Sequence, residues 1–247
     1  MCGTTKIKNP LVIGYKGEIG SFILSGLLKI IPKALQIYCV DINETDAEVR
    51  QRIEASDTIF LCVPFNLTVV WLIKWKPLLK NKLIFEQCSL KEWIYEHYVS
   101  KGLNIRSMHI LFRPSQTPNL EDRCIGMFSS QFDLYHSNYP DSILLKDIKA
   151  ITQSKVVWWA HAEEHDYNMA TQQALLHRTL LILGSLLKES NGSTFMSKKI
   201  LELGNRVKQG DLDLYRMIQN NKYLPEALEK LEKGYNEFSI EKLWEEK

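Results

Sequence analysis

The sequence has almost no excess charge of either sign, because 31 Lys and Arg residues stand against 29 Asp and Glu residues. It also lacks a cluster of basic residues that could neutralise a phosphate backbone, so no nucleic-acid partner is expected. The longest apolar stretch, residues 58–73, is broken by Pro64 and Asn66 and is too short to cross a bilayer. No membrane association is therefore expected.

Five cysteines are present, but none belongs to a Cys-x-x-Cys pair, which argues against a zinc ribbon or a redox motif. No metal site is expected. Three of the cysteines lie in or just after apolar runs, which favours reduced thiols and a cytoplasmic location. Residues 1–10 are polar and lack the apolar core of a signal peptide.

Short apolar runs alternate with helical patterns through the first 160 residues. The predicted strands are 10–13, 35–40, 58–63, 83–86, 105–111, 124–129 and 156–159. Strands and helices that alternate at this spacing are typical of an α/β fold with a doubly wound, Rossmann-type sheet. Residues 1–160 are therefore predicted to form one such domain.

Helical patterns replace strands after His161. Residues 163–188 are predicted to form one long helix, interrupted only by Gly184, whose second half is apolar almost all round. Such a helix must be buried on several sides, in a bundle or a subunit interface. Further helices are predicted over 195–207, 212–220, 225–232 and 240–245, the last with a Ser239 cap. Residues 161–247 are thus predicted to form an all-α domain.

Three glycines follow the first predicted strand: Gly14, Gly17 and Gly20. A Gly-rich turn between a strand and a helix lets backbone N–H groups approach a pyrophosphate. Asp41 ends the second strand, where a carboxylate can bind an adenosine ribose and would repel a 2′-phosphate. The alternative is a structural turn beside a solvated aspartate, but the strand–turn–helix context favours NAD. The predicted cofactor-binding residues are Gly14, Tyr15, Lys16, Gly17, Glu18, Ile19, Gly20, Asp41, Val63 and Pro64.

A histidine and a serine lie near the ends of predicted strands. His109 lies where the fifth strand should end, at the edge where α/β domains bind ligands, and an imidazole can exchange a proton near neutral pH. A histidine with a structural hydrogen bond explains the position equally well. Ser89 also follows a strand, but a lone serine there is better explained as a helix cap.

The long predicted helix carries Gln173 and His177 one turn apart, on the same stripe as Asp166. Burying either side chain without a partner would cost about 1–3 kcal/mol, so both need hydrogen bonds. A ligand and another helix are equally good candidates. Arg206, taken alone, is an ordinary exposed helix residue.

The segments 164–170 and 173–177 together resemble the start of the helical domain of prephenate dehydrogenases, closest to the type fused to chorismate mutase. The glycine spacing is similar to that branch. Three further blocks match the family's Ser-Val-Lys, His-Pro-Met-Phe-Gly-Pro and Gly-Arg motifs. They are Ser89-Leu90-Lys91, the run from His109 to Pro114, and Asn205-Arg206.

The resemblance implies NAD-dependent oxidative decarboxylation of prephenate to 4-hydroxyphenylpyruvate, a step of tyrosine biosynthesis. It implies that His109 polarises the 4-hydroxyl, that Ser89 orients the histidine or the hydroxyl, and that Arg206 binds the ring carboxylate. Gln173 and His177 would line the substrate pocket. The helical domain would form a homodimer, which accounts for its all-round apolar helix.

The sequence departs from the family pattern at several positions. Ile110 replaces a proline, Arg113 replaces a glycine, Ser115 stands where the family has Asp or Glu, and Lys198 replaces a second arginine. Arg113 could clamp a substrate carboxylate, as a further substrate-binding residue, or obstruct the pocket. Two alternatives stay open: an arogenate dehydrogenase, and a non-catalytic dinucleotide-binding protein derived from this family.

Overall fold

The structure is a computed structural model that describes residues 6–99, 101–128, 140–187, 190, 192–210 and 212–238. The chain divides into two compact units, Met1–Ala162 and Glu163–Lys247.

The first unit contains a seven-stranded sheet. Its strands are β1 (Pro10–Ile13), β2 (Tyr38–Val40), β3 (Thr58–Leu61), β4 (Leu83–Glu86), β5 (Ile105–Ile110), β6 (Cys124–Phe128) and β7 (Lys155–Trp159). Its helices are α1 (Glu18–Ile30), α2 (Asp46–Ala55), α3 (Phe65–Trp75), α4 (Glu92–Ile94), which continues into a π-helical turn over Tyr95–Val99, and α5 (Pro140–Thr152).

The strand order is β2-β1-β3-β4-β5-β6-β7, with β6 antiparallel to β5 and the other neighbouring pairs parallel. This arrangement confirms the predicted α/β class. The chain changes direction across the sheet between β1 and β3, and ligands of doubly wound folds bind outside the carboxyl ends of the strands at such a point. Because β1 to β5 are parallel, their carboxyl ends share one edge.

Helices cover both faces of the sheet, which explains why β1 and β3 are buried along their whole length. Side chains that alternate along the strands pack against opposite layers. One layer joins Val12, Phe60, Phe85 and Met108 to α1 and α5 residues such as Ile23, Leu27, Leu144 and Ile148. The other joins Leu11, Ile59, Leu61 and Ile84 to α2 and α3 residues such as Val49, Ile53, Leu72 and Trp75.

The second unit is helical. Its elements are α6, which begins at the boundary (Ala162–Met169), a π-helical stretch (Ala170–Leu175), α7 (Leu176–Leu186), α8 (Phe195–Lys208), α9 (Leu212–Gln219) and α10 (Leu224–Asn236). The expected interruption of the long helix at Gly184 was wrong. Gly184 lies inside α7, where its Cα sits beside that of Gly204 on α8, and this absence of side chains lets the two helices approach closely.

The π-helical stretch alters the hydrogen bonding that a regular helix would have. Two backbone carbonyls in and just before this stretch accept hydrogen bonds from side chains outside the helix. The Gln219 amide donates to Ala174 O (2.8 Å), and the Asn221 amide donates to Asp166 O (2.7 Å). Ala174 also packs with Ile218 and Leu224 in a small core. The helix predicted over 240–245 and its Ser239 cap lie outside the described residues.

Candidate active site

The backbone where β1 turns into α1 leaves no space for a side chain at Gly14, in the turn, or at Gly20, in the first turn of the helix. Gly14 has a φ of +77°, and a Cβ there would come within 2.6 Å of Cys62 O and 2.8 Å of a Val63 methyl. A Cβ on Gly20 would lie 2.0 Å from Gly14 O. The loop therefore packs against the end of β3 and against its own helix, and only glycine fits at these two positions.

The N-terminus of α1 is open to an anion. Gly17 is the residue that caps the helix, and it brings no side-chain hydrogen bond to the first turn. The first N–H groups of a helix otherwise lack partners within the helix, and the helix dipole favours negative charge there. The first turn is thus suited to a phosphate group.

Asp41 lies beside the glycine loop, at the end of β2. Its carboxylate accepts hydrogen bonds from the backbone N–H groups of Lys16 (3.1 Å) and Ile42 (2.9 Å). Two N–H donors fix its orientation but leave lone pairs free to accept from hydroxyl groups, since a carboxylate has about four acceptor sites. Ile42, which no sequence pattern singled out, is 87% exposed although it is a large apolar residue.

Glu18, the first residue of α1, connects the glycine loop to the segment after β5. It accepts hydrogen bonds from Arg113 Nε (3.1 Å), Ser115 N (2.9 Å) and Ser115 Oγ (2.5 Å). Burial alone would raise the pKa of Glu18, but these hydrogen bonds and the Arg113 charge outweigh it and hold the pKa below its usual value. Arg113, a predicted substrate ligand, is therefore engaged through Nε, with its side chain still half exposed.

Ser89 and His109 lie at the carboxyl edge of the sheet, on neighbouring strands. Ser89 follows β4 by three residues and His109 is the penultimate residue of β5, and both are buried. Gly126 on β6 pairs directly with His109, and a Cβ on Gly126 would collide with the Trp159 ring. The ring of Trp159 thus covers the position opposite His109.

Ile110, which stands where the family has proline, does not change the strand pairing around His109. Leu111 N donates to Cys124 O (3.0 Å), and residues of an antiparallel pair alternate between bonded and non-bonded positions. The N–H of Ile110 therefore points away from β6. A proline at this position would remove no bond from that ladder, so both residues are compatible with the same strand.

The remaining predicted substrate residues lie in the second unit. Gln173 lies in the π-helical stretch and His177 in the first turn of α7, both partly buried. Burial holds the pKa of His177 below its usual value, which keeps the imidazole neutral at pH 7. Arg206 lies on α8, half exposed, and pairs with Glu202 one turn earlier.

The sequence pattern assigned no role to three further polar side chains at or shortly after the end of β4: Glu86, Gln87 and Lys91. Glu86 and Lys91 form an ion pair of 2.8 Å in which both side chains are fully buried. The amide oxygen and nitrogen of Gln87 are buried and have no hydrogen-bond partner among the described residues. A charged residue at the end of the apolar run Leu83–Glu86 was a usable signal, because a buried carboxylate requires a partner.

The described ranges contain no group of three or more His, Cys, Asp or Glu side chains able to hold a metal ion. None of the helices found there combines the length and apolar character needed to cross a bilayer.

No protein-family model matches the sequence, and neither does any curated protein. Solved structures do match. A prephenate dehydrogenase from Aquifex aeolicus, in complex with hydroxyphenyl propionate and NAD+, has a TM-score of 0.70 at 16% identity, over 94% of this chain and 90% of its own. A provisionally assigned prephenate dehydrogenase from Corynebacterium glutamicum has a TM-score of 0.69 at 18% identity, over 94% and 82%.

A third match shows how widely the fold is shared. An NADH-preferring ketol-acid reductoisomerase from an uncultured archaeon has a TM-score of 0.54 at 10% identity, over 92% of this chain and 87% of its own. At these identities the matches establish the fold. The resemblance to prephenate dehydrogenases seen in the sequence is thereby confirmed for the fold, and the activity has to be argued from the residues.

Proposed function

We propose that this protein is an NAD-dependent prephenate dehydrogenase that forms 4-hydroxyphenylpyruvate in tyrosine biosynthesis. The observation that carries the proposal is the placement of Ser89 and His109 at the carboxyl ends of β4 and β5, on the sheet edge that also carries the glycine loop. The fold shared with two prephenate dehydrogenases supports it.

The residues around the glycine loop fit NAD. The glycines at 14 and 20 keep side chains out of the turn, and the first turn of α1, which has no side-chain cap, would hold the pyrophosphate. Asp41 would accept hydrogen bonds from the adenosine ribose, and Ile42 offers an apolar surface for the adenine. Val63 and Pro64 would line the same crevice. Bound NAD supplies the hydride acceptor.

His109 and Ser89 would act on the hydroxyl group of prephenate. His109 would accept the proton of the 4-hydroxyl as C4 loses hydride, and loss of CO2 would then make the ring aromatic and deliver an electron pair to the 4-oxygen, which takes the proton back from His109. Ser89 orients the hydroxyl or the imidazole through a hydrogen bond. Aromatisation makes the reaction downhill, so the task of these residues is to hold one geometry and to take up and return one proton.

Residues of the second unit would hold the rest of the substrate. Arg206 would bind the ring carboxylate, a role that suits the fork-shaped guanidinium. Gln173 and neutral His177 would hydrogen-bond within the pocket. Arg113 would contribute its terminal nitrogens, since Glu18 engages only Nε in the described structure.

The helical unit would form a homodimer in the cytoplasm. Leu176, Ile182 and Leu186 of α7 are 49%, 53% and 71% exposed in the single chain. Apolar side chains exposed to this extent along one helix favour a covering partner, and a second copy would provide it.

Formation of NADH with purified protein, NAD and prephenate tests the proposal. His109→Asn should retain NAD affinity and lose turnover by roughly 10²- to 10⁴-fold, whereas His97→Asn, a change of the same type outside the site, should leave turnover intact. Unchanged turnover in His109→Asn would remove this histidine from the mechanism.

Arg206→Gln tests the carboxylate contact, and it should raise the KM for prephenate by about tenfold or more with a smaller effect on kcat. An unchanged KM would rule the contact out. Assays with arogenate run side by side would identify an arogenate dehydrogenase. NAD binding without NADH formation from either substrate would identify a non-catalytic binding protein.

A further inference from the structure

The ion pair between Glu86 and Lys91 is the most deeply buried charged pair in the described part of the chain. Both side chains have no exposed surface, and Lys91 Nζ lies 2.8 Å from Glu86 Oε1. The second carboxylate oxygen of Glu86 accepts from Cys88 N at 2.8 Å. The charges are therefore compensated and hydrogen-bonded inside the protein.

The pair closes the loop that carries Ser89. Glu86 ends β4, Lys91 follows five residues later, and the ion pair ties these two ends of the loop together. The Cys88 N–H bond to Glu86 fixes the residue directly before Ser89. The backbone on both sides of Ser89 is thus held from within the protein.

Lys91 also reaches β5, because its ammonium group donates to Met108 O at 2.9 Å. Met108 is the residue directly before His109. One ammonium group consequently holds the Ser89 loop and the backbone beside His109 at a fixed separation.

Stability alone gives a weak reason for this pair. Replacing a buried ion pair with apolar residues of similar size is often neutral or stabilising, because the charges lose their hydration on burial. An ion pair does, however, hold its partners at fixed distances and angles, which apolar contacts do not. The pair contacts the backbone next to both Ser89 and His109, so its fixed geometry can hold these two proposed reacting residues in place.

We propose that Glu86 and Lys91 are positioning residues, which set the separation and orientation of Ser89 and His109 without touching substrate. The inference rests on the proposed function. On this inference, the lysine of the Ser89-Leu90-Lys91 block positions the proposed reacting residues, and it does not serve as a surface charge.

The test compares Lys91→Met, Glu86→Gln and the double variant with wild type, and uses Lys74→Met as the matched control. Lys74 forms an exposed ion pair with Asp46 on the same unit, so the control removes a lysine charge far from burial. For each protein we measure the thermal unfolding midpoint, the kcat normalised to the number of NAD-binding sites, and the KM for prephenate. The NMR signals of the histidine imidazoles are recorded on the same proteins. The His109 signals are assigned from their loss in His109→Asn.

The single variant Lys91→Met should lose thermal stability because it leaves a buried carboxylate without a counter-charge. The double variant carries no charge at positions 86 and 91, so it should recover much of that stability. Its kcat should nevertheless stay lower by about 100-fold, with the KM for prephenate changed much less, because displacements of about 1 Å at a reacting group have effects of this size. Lys74→Met should match wild type in all measurements.

A double variant that recovers both stability and kcat would overturn the proposal, because the pair would then be structural only. If Lys91→Met does not fold, Glu86→Gln replaces it in comparing the loss of kcat with the loss of stability. Glutamine has the same shape as glutamate and keeps an oxygen that accepts from Cys88 N. A wild type that forms no NADH refutes the proposed function instead. The inference is then decided by the His109 imidazole signals, which must shift in the double variant and stay in place in Lys74→Met.

Discussion

Gly20→Ala should both destabilise the first unit and weaken NAD binding. The added Cβ would lie 2.0 Å from Gly14 O, 2.7 Å from Gly14 C and 2.8 Å from Tyr15 Cα. An ordinary contact begins near 3.4 Å, and the atoms in the way are backbone, so the loop itself has to move by about 1 Å.

The expected loss follows from two opposing effects. Alanine gains about 1 kcal/mol over glycine inside a helix, and forced overpacking costs about 1–3 kcal/mol or more. Because backbone cannot rotate out of the way, we expect the upper end of the cost and a net loss of about 2 kcal/mol. At roughly 2–4 °C per kcal/mol for a unit of this size, Tm should fall by about 4–8 °C.

Binding should weaken because the displaced loop presents its N–H groups to the pyrophosphate in the wrong place. Losing one hydrogen bond to a charged group costs about 1.5–3 kcal/mol, which corresponds to a roughly 10- to 100-fold higher Kd for NAD. Calorimetric titration and thermal denaturation of the same samples measure both effects.

Gly26→Ala is the matched control for this change. Gly26 lies on the same helix, and its Cβ would meet Ile151 O of α5 at 2.2 Å, away from the loop. This variant should lose stability and keep its NAD affinity once folded. Gly20→Ala with wild-type Tm and Kd, or Gly26→Ala with equally weakened binding, would refute the reasoning.

Three further predictions test other parts of the structure. Gln87→Met removes two unpartnered buried polar atoms and should stabilise the protein without ligand by about 1–3 kcal/mol; a lower urea midpoint would contradict this. Because the pKa of Glu18 is lowered in the folded state, its contribution is present above the ordinary glutamate pKa and is lost as the pH falls through the lowered value. Arg113→Gln should therefore have a lower Tm than wild type at pH 7, and the difference should shrink below about pH 4. Asn221→Ala removes the bonds to Asp166 O (2.7 Å) and from Tyr223 N (2.9 Å) and should cost about 2 kcal/mol in chemical denaturation; a loss under about 0.5 kcal/mol would show that water replaces both.

The sheet could be predicted from the sequence because its strands are buried on both faces and therefore apolar along their length. Strand ends were less predictable. The second strand begins at Tyr38, three residues later than predicted. Pro64 immediately precedes α3, a position near which proline is favoured.

The π-helical stretch at 170–175 could not be predicted from spacing, because it depends on a distant partner. Gln219 supplies a donor for Ala174 O from 45 residues away. The pairing of Arg113 with Glu18 spans 95 residues in the same way. Long-range polar contacts of this kind depend on the assembled sheet and leave no local pattern in the sequence.

The two departures at Arg113 and Ser115 become intelligible once Glu18 is considered with them. The family resemblance places an acidic residue at position 115, and here the nearest carboxylate comes instead from Glu18, which accepts both hydrogen-bond donors of Ser115. A carboxylate at the start of α1 is favoured by the helix dipole but would repel a pyrophosphate bound to the same turn. Arg113 pairs with that carboxylate and cancels its charge. A glycine at 113 could not do so. With NAD bound as proposed, Arg113→Gly should therefore raise the Kd for NAD more than the KM for prephenate.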